Sequence, residues 1–220
     1  MLKGYSIYEK YFLFVMLALQ VFVYVISPES PISMIAGLAG VASVVMFAKG
    51  RMSAYFIGFI QNFTYIYLSY TNRFYGEVLE QLFYIITMIW GIFVWKNNID
   101  EETNNVKGKK FTWKHWLSAG VISIIGTIGM GYFLTSIGSA QPYTDAATNV
   151  FAVIAQLLMV WRFREQWFWW LIIDLLCIKM WFVAGNWSMV AMYIAWTINC
   201  IYGWVNWTKL SKKAKAKEIM

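Results

Sequence analysis

Eight apolar runs alternate with polar breaks along the chain. They cover approximately residues 11–27, 32–48, 54–71, 78–95, 115–134, 144–161, 167–183 and 187–207. A bilayer-crossing α-helix needs about 17 to 25 predominantly apolar residues, and each run meets or approaches that length. The short breaks are turn-like: SPESP, KGRMS, TNRFYGE, SIGSAQP, RFREQ and AGN. The one long break, KNNIDEETNNVKGKKFTWK at 96–114, is polar and reads as a flexible connection. Lys3 and Lys10 give the first run the look of a secretory leader. VISPES offers no small-residue cleavage site, so this run is expected to remain a helix. The pattern predicts an all-α integral membrane protein with eight transmembrane helices.

Composition agrees. Of the 220 residues, 60% are hydrophobic and 13% charged, whereas a soluble domain carries about a quarter charged residues. Charge placement then orients the helices, because cytoplasmic loops hold the excess of Lys and Arg. With eight crossings, one side receives Lys3, Lys10, Lys49, Arg51, Lys96, Lys107, Lys109, Lys110, Lys114, Arg162, Arg164, Lys209, Lys212, Lys213, Lys215 and Lys217. The other side receives Arg73 alone, and Lys179 falls inside a helix. Both termini are therefore expected in the cytoplasm. The net charge of +7 is dispersed in clusters between apolar runs, which argues against a nucleic-acid partner.

The chain also resembles itself. IWGIFVW (89–95) aligns with IYGWVNW (201–207) at a shift of 112 residues, matching Ile89, Gly91 and Trp95 to Ile201, Gly203 and Trp207. Without a gap the alignment extends over helices 2–4 against 6–8, with the basic turns in register. Four crossings, an even number, separate the start of helix 2 from that of helix 6, so the two segments predict two parallel three-helix repeats joined by a linker helix, plus an extra N-terminal helix. The expected divisions are an N-terminal helix at 1–31, a first repeat at 32–95, a loop and linker helix at 96–142, a second repeat at 143–208 and a basic cytoplasmic tail at 209–220.

Polar residues at mid-depth are the candidate chemistry. Trp196, Asn199, Tyr202 and Gly203 share one face of helix 8, and their repeat mates are Tyr84, Thr87, Trp90 and Gly91. Matching stripes turned toward the axis between parallel repeats would line a midplane substrate site. The same stripes could serve plain helix packing, since glycines admit close approach and Asn can bond across helices. Gln61, Asn62, Gln156 and Asp174 also lie at mid-depth, with Asn62 and Asp174 as repeat mates. A carboxylate there usually faces an interior cavity. Lys179 lies near a helix end and can snorkel. A lone helical lysine with a carboxylate and aromatics also suits a retinal-type chromophore, an alternative of a different class. Paired catalytic carboxylates, a nucleophile–base pair and metal-ligand spacing are all missing, so neither an enzyme nor a cofactor or metal is expected. Cys177 and Cys200 read as small buried residues.

The stretch AQLLMVWRFREQWFWWLIIDLLCIKMWFVAGNWSMVAMYIAWTINCIYGWVNW resembles the PnuC family of vitamin-precursor transporters. FAKGRMSAYFIGFIQN and RFYGEVLEQLFYIITMIWGIFVW are similar to its first half, and Asn199-Cys-Ile-Tyr202 fits an Asn-x-x-Tyr pattern on the family's binding helix. The resemblance implies a SWEET-like fold in the bacterial inner membrane. It implies transport of nicotinamide riboside by facilitated diffusion, with trapping by a cytosolic kinase. It also implies a homo-oligomer, a trimer among the possible forms. Thiamine or another vitamin or nucleoside is the alternative cargo. Such a ligand suits the residues: aromatic faces hold a ring cation, amides pair with hydroxyls and a carboxamide, and Asp174 offsets positive charge.

Overall fold

The computed structural model describes residues 4–26, 30–71, 75–138, 141–183 and 187–219. The AGN turn and parts of SPESP, TNRFYGE and SIGSAQP, and with them Lys3 and Arg73, lie outside the described residues. Eight α-helices form among those described: α1 (Ile7–Ile26), α2 (Pro31–Lys49), α3 (Ser53–Thr71), α4 (Tyr75–Lys96), α5 (Trp113–Ser136), α6 (Pro142–Val160), α7 (Gln166–Val183) and α8 (Trp187–Ile219). All eight expected runs are helical. The chain divides into two units, Met1–Lys107 and Gly108–Met220. In the first, α1 packs on α2, α2 on α3 and α3 on α4; in the second, α5 packs on α6, α6 on α7 and α7 on α8.

Local chemistry sets the helix ends. Pro31 opens α2, and the Ser30 side chain accepts the Ser33 N–H at 3.2 Å. Gly50 ends α2 in the left-handed region, φ 79°. The Gly50 N–H then donates to the Phe47 carbonyl at 2.9 Å and the Arg51 N–H to Met46 at 3.0 Å, satisfying carbonyls the helix leaves open. The α6 end repeats this on a side chain poorly suited to it. Arg162 has φ 68°. Its N–H donates to Met159 at 3.0 Å and that of Phe163 to Leu158 at 2.9 Å. A Cβ in this conformation costs roughly 1–2 kcal/mol.

The 96–114 segment departs from the expected flexible connection. β1 (Ile99–Asp100) and β2 (Asn105–Val106) pair antiparallel, Ile99 opposite Val106. Asp100 Oδ1 accepts both the Thr103 N–H and its hydroxyl at 3.1 Å, which fixes the turn. The Val106 N–H donates to the Gly50 carbonyl at 2.9 Å, and the Val106 side chain is buried. In the second unit the Lys109 N–H donates to the Arg162 carbonyl at 2.7 Å, and Phe111 is buried nearby with Leu158 and Trp169. Two apolar residues and one Asp turn thus anchor a segment whose average composition is that of a linker. α8 also exceeds its expected length, because its end is rich in Lys and Ala. Both are good helix formers, and cations favour a helix C-terminus.

At the start of the first unit Lys49 Nζ pairs with Glu9 Oε1 at 2.6 Å, both largely buried. Tyr5 is buried beneath the Lys49 and Arg51 cations, 5.6 and 5.7 Å from its ring centre. Burial pushes its hydroxyl up to about 12, so the ring stays neutral over the physiological range.

Large apolar side chains such as Phe14, Phe22, Phe63, Phe93, Ile125 and Tyr132 point outward. A surface so apolar needs lipid. Among the described residues, five helices are long and apolar enough to cross a membrane by length and composition: α1, α2, Val78–Lys96 of α4, α5 and α6. The other three carry the polar load: Gln61 and Asn62 on α3, Asp174 and Lys179 on α7, Asn199 and the lysine-rich end on α8.

Candidate functional site

In the second unit the expected stripe lies along α8. Trp196 is half-buried, edge-on to Tyr193 at 5.3 Å. One turn on, Asn199 is fully buried, and neither its Oδ1 nor its Nδ2 has a hydrogen-bond partner among the described residues. A buried amide left unpaired costs roughly 1–3 kcal/mol. A side chain kept in that condition is suited to pairing with a ligand. Tyr202 is half-buried and Gly203 buried. The Trp167 indole lies across Gly203 so closely that a Cβ there would fall 2.5 Å from the ring. This glycine is required by an aromatic packed flat on the helix backbone, one turn from Asn199.

α7 brings Asp174 to the same seam. It is buried, and its Oδ2 accepts the Cys200 thiol at 3.2 Å, next to Asn199 in sequence. Gln156 is buried on α6. Cys177, on α7, is hydrogen-bonded to Tyr193. Both cysteines are free and buried, as expected. Lys179 is exposed, which leaves a Schiff-base chromophore no enclosed attachment point.

The first unit treats its candidates differently. Asn62 is buried and its Nδ2 donates to Met88 Sδ at 3.0 Å. The Thr87 hydroxyl donates within α4, to Phe83 and Tyr84 carbonyls at 2.9 and 3.0 Å. The Tyr84 hydroxyl donates to Glu80 at 2.7 Å. Gln61 packs beside Gly40 of α2. Trp90 is 44% exposed, the least enclosed of the ten candidates. Gly91 lies under the Tyr55 ring, where a Cβ would fall 2.7 Å from Cζ.

Several residues escaped the sequence reading. Gln166 is fully buried, and among the described residues neither of its amide atoms has a hydrogen-bond partner; the buried Trp167 Nε1 and Thr197 Oγ1 likewise have none there. Gln166 sits in RFREQ, and a polar residue in a turn gives no signal of burial. Trp167 had one: it is the repeat mate of Tyr55, and each stands opposite a matched glycine. Glu165 was missed too. It is fully buried, accepting the Phe111 N–H at 3.0 Å and Arg164 Nε at 2.9 Å, and Arg164 goes on to donate to Thr208 at 2.9 Å.

Known proteins are similar to this chain in sequence and fold. The family described as "Nicotinamide mononucleotide transporter" matches residues 30–209. A protein of Neisseria mucosa named "Nicotinamide riboside transporter PnuC" is 36% identical over 96% of this chain and 84% of its own length. One of the same name from Haemophilus influenzae is 34% identical over 96% of this chain and 94% of its own. The crystal structure of the vitamin B3 transporter PnuC superposes with a TM-score of 0.81 at 33% identity, covering 96% of this chain and 94% of that one. With its helices, its apolar exterior and its buried polar seam, this chain belongs to the PnuC transporter family.

Proposed function

We propose that this protein carries nicotinamide riboside across the bacterial cytoplasmic membrane by facilitated diffusion, a cytosolic kinase trapping the substrate as its phosphate. The observation that carries this is Asn199, a mid-helix amide fully buried with both polar atoms unpaired. A planar carboxamide or a sugar hydroxyl can both donate to and accept from such a group. Trp196, Tyr202 and Trp167 supply aromatic faces for a ring cation, and Asp174 and Gln156 complete the polar set. The relatives' names point to the riboside and the family description to the mononucleotide. The candidate residues favour the riboside, because phosphate sites are built from arginine clusters, helix N-termini or backbone nests. Here the candidates are aromatic and amide, with one carboxylate that repels phosphate.

Two parallel repeats suit the paired geometry at positions 112 residues apart: the left-handed turns at Gly50 and Arg162, the glycines under Tyr55 and Trp167, the buried Trp95 and Trp207. We take all eight helices to cross the membrane, with both termini cytoplasmic, and the assembled form to be a homo-oligomer. A cysteine at the exposed Glu101 should then escape an impermeant thiol reagent in intact cells.

Calorimetric titration with nicotinamide riboside, its mononucleotide and thiamine tests the substrate. The riboside should bind at least about a hundredfold more tightly than the mononucleotide, about 2.8 kcal/mol. Equal affinity, or preference for thiamine, overturns the assignment. Asp174 offers a single carboxylate and no relay for a coupling proton. Proteoliposomes should therefore equilibrate the riboside, and accumulation driven by an ion gradient would exclude facilitated diffusion.

A further inference from the structure

The C-terminal end of α8 has no part in the substrate seam, yet it is an ordered helix through Ile219. Its 33 residues at about 1.5 Å each exceed the roughly 30 Å hydrocarbon core by several turns. Trp204, with the Arg164 guanidinium 4.8 Å over its ring, marks the depth where the helix leaves the core. The turns that follow hold Lys209, Lys212, Lys213, Lys215 and Lys217.

These lysines are sorted around the helix. Ser211 is buried and Leu210 and Ala214 are half-buried, so that side faces the unit. A Cβ at Gly108 would lie 3.2 Å from the Ser211 nitrogen, showing what covers it. At about 100° per residue, Lys209, Lys212 and Lys213 fall on the opposite side. Lys209 and Lys212 are exposed and Lys213 is half-buried.

We propose that Lys209, Lys212 and Lys213 form a binding ledge for the phosphate of an anionic phospholipid. The proposal goes beyond substrate transport and rests only on α8 being a membrane-crossing helix. The ledge begins between one and two turns past the interfacial tryptophan and ends about two and a half turns past it, at headgroup depth, and a lysine near an anionic membrane surface contributes about a factor of five in binding. A lipid satisfies it better than free phosphate, because the acyl chains lie along the apolar face of α8 below, at Ile194, Ile198, Ile201 and Val205, all exposed.

The test uses the full chain in neutral detergent, with native mass spectrometry and thermal unfolding as readouts. Phosphatidylglycerol, phosphatidylcholine and inorganic phosphate are the three probes. Phosphatidylglycerol should be retained and raise the unfolding midpoint, phosphatidylcholine should not, and millimolar phosphate should not displace the lipid. K209Q/K212Q/K213Q should lose about a hundredfold in phosphatidylglycerol affinity. K209R/K212R/K213R should keep it. Riboside titration of both variants separates this site from the substrate site, because neither change should alter riboside affinity. Undiminished phosphatidylglycerol binding by the glutamine variant, folded by its unfolding curve, overturns the ledge. Displacement of lipid by free phosphate would show that a small anion is the true ligand.

Discussion

In the first unit the turn between its second and third helices closes on Gly50 at φ 79°, and in the second the corresponding turn closes on Arg162 at φ 68°. In both, an N–H from the 96–114 segment caps the carbonyl of that residue, Val106 on Gly50 at 2.9 Å and Lys109 on Arg162 at 2.7 Å. At the third seam the first unit joins Asn62 to Met88, and the second joins Asp174 to Cys200, residue for residue 112 positions apart. The scaffold is shared, and the polarity hung on it is not. Thr87 spends its hydroxyl on its own helix, while its counterpart Asn199 holds two unpaired atoms in a fully buried place. Backbone geometry tolerates drift in side chains as long as the turn, the aromatic and the bare glycine persist. Of the two matched stripes, the one on α8 holds the unpaired amide, and it is the one proposed to take the polar ligand.

The strongest way to test the shared scaffold is at its two glycines. Gly203→Ala drives a methyl into the Trp167 indole, and Gly91→Ala drives one into the Tyr55 ring. Overpacking of this kind typically costs about 1–3 kcal/mol. Both variants should therefore lower the unfolding midpoint measurably. Only Gly203→Ala should also weaken riboside binding, since the displaced indole lies one turn from Asn199. Equal losses of affinity would erase the distinction between the units.

Next in size is the amide itself. Asn199→Ala should weaken binding by about 1–3 kcal/mol, the worth of a buried hydrogen bond to a polar ligand. Thermal unfolding without ligand should be unchanged or improved, because the substitution removes an unpaired buried group. A large loss of stability with affinity intact would return Asn199 to a packing role. Thr87→Val offers the control, with affinity expected to stay at the parent value.

Why the helices were legible and parts of the site were not follows from the same contrast. Apolar runs of spanning length admit almost no structure but helix, so all eight appear, and all but α8, which runs on to Ile219, stop near their expected ends. The stripe of Trp196, Asn199 and Tyr202 is legible because helical spacing puts it on one face. Burial is where sequence runs out. Gln166 and Glu165 look like turn residues and are fully enclosed, whereas Trp90, paired with Tyr202 by the repeat, is 44% exposed. The hairpin at 99–106 is hidden by composition, since the few residues that pin it, Asp100, Thr103 and Val106, are diluted among lysines and asparagines.

A smaller effect with opposite signs tests the turns. Gly50→Ala should destabilise by about 1 kcal/mol, because Cβ is disfavoured at positive φ. Arg162→Gly should stabilise by up to about the same amount through relief of that strain. Unfolding midpoints of the two variants should therefore move apart, with riboside affinity unaltered in both. Matching losses in both would mean that contacts of the Arg162 side chain outweigh its backbone strain, and that the second turn is held by different forces from the first.

The smallest expected change is at Asn62. Its Nδ2 donates to a thioether sulfur, a weak acceptor. Asn62→Leu gives up that bond and gains apolar contact in a buried seam, so the two terms nearly cancel. The net should stay within about 1 kcal/mol. Replacing its counterpart instead, Asp174→Leu, removes the carboxylate proposed to offset the ring cation and leaves the Cys200 thiol without its acceptor. Affinity should fall for Asp174→Leu and hold for Asn62→Leu. If Asn62→Leu abolishes riboside binding while the protein remains folded, the first unit supplies ligand contacts after all. Its satisfied hydrogen bonds would then have to break when substrate arrives.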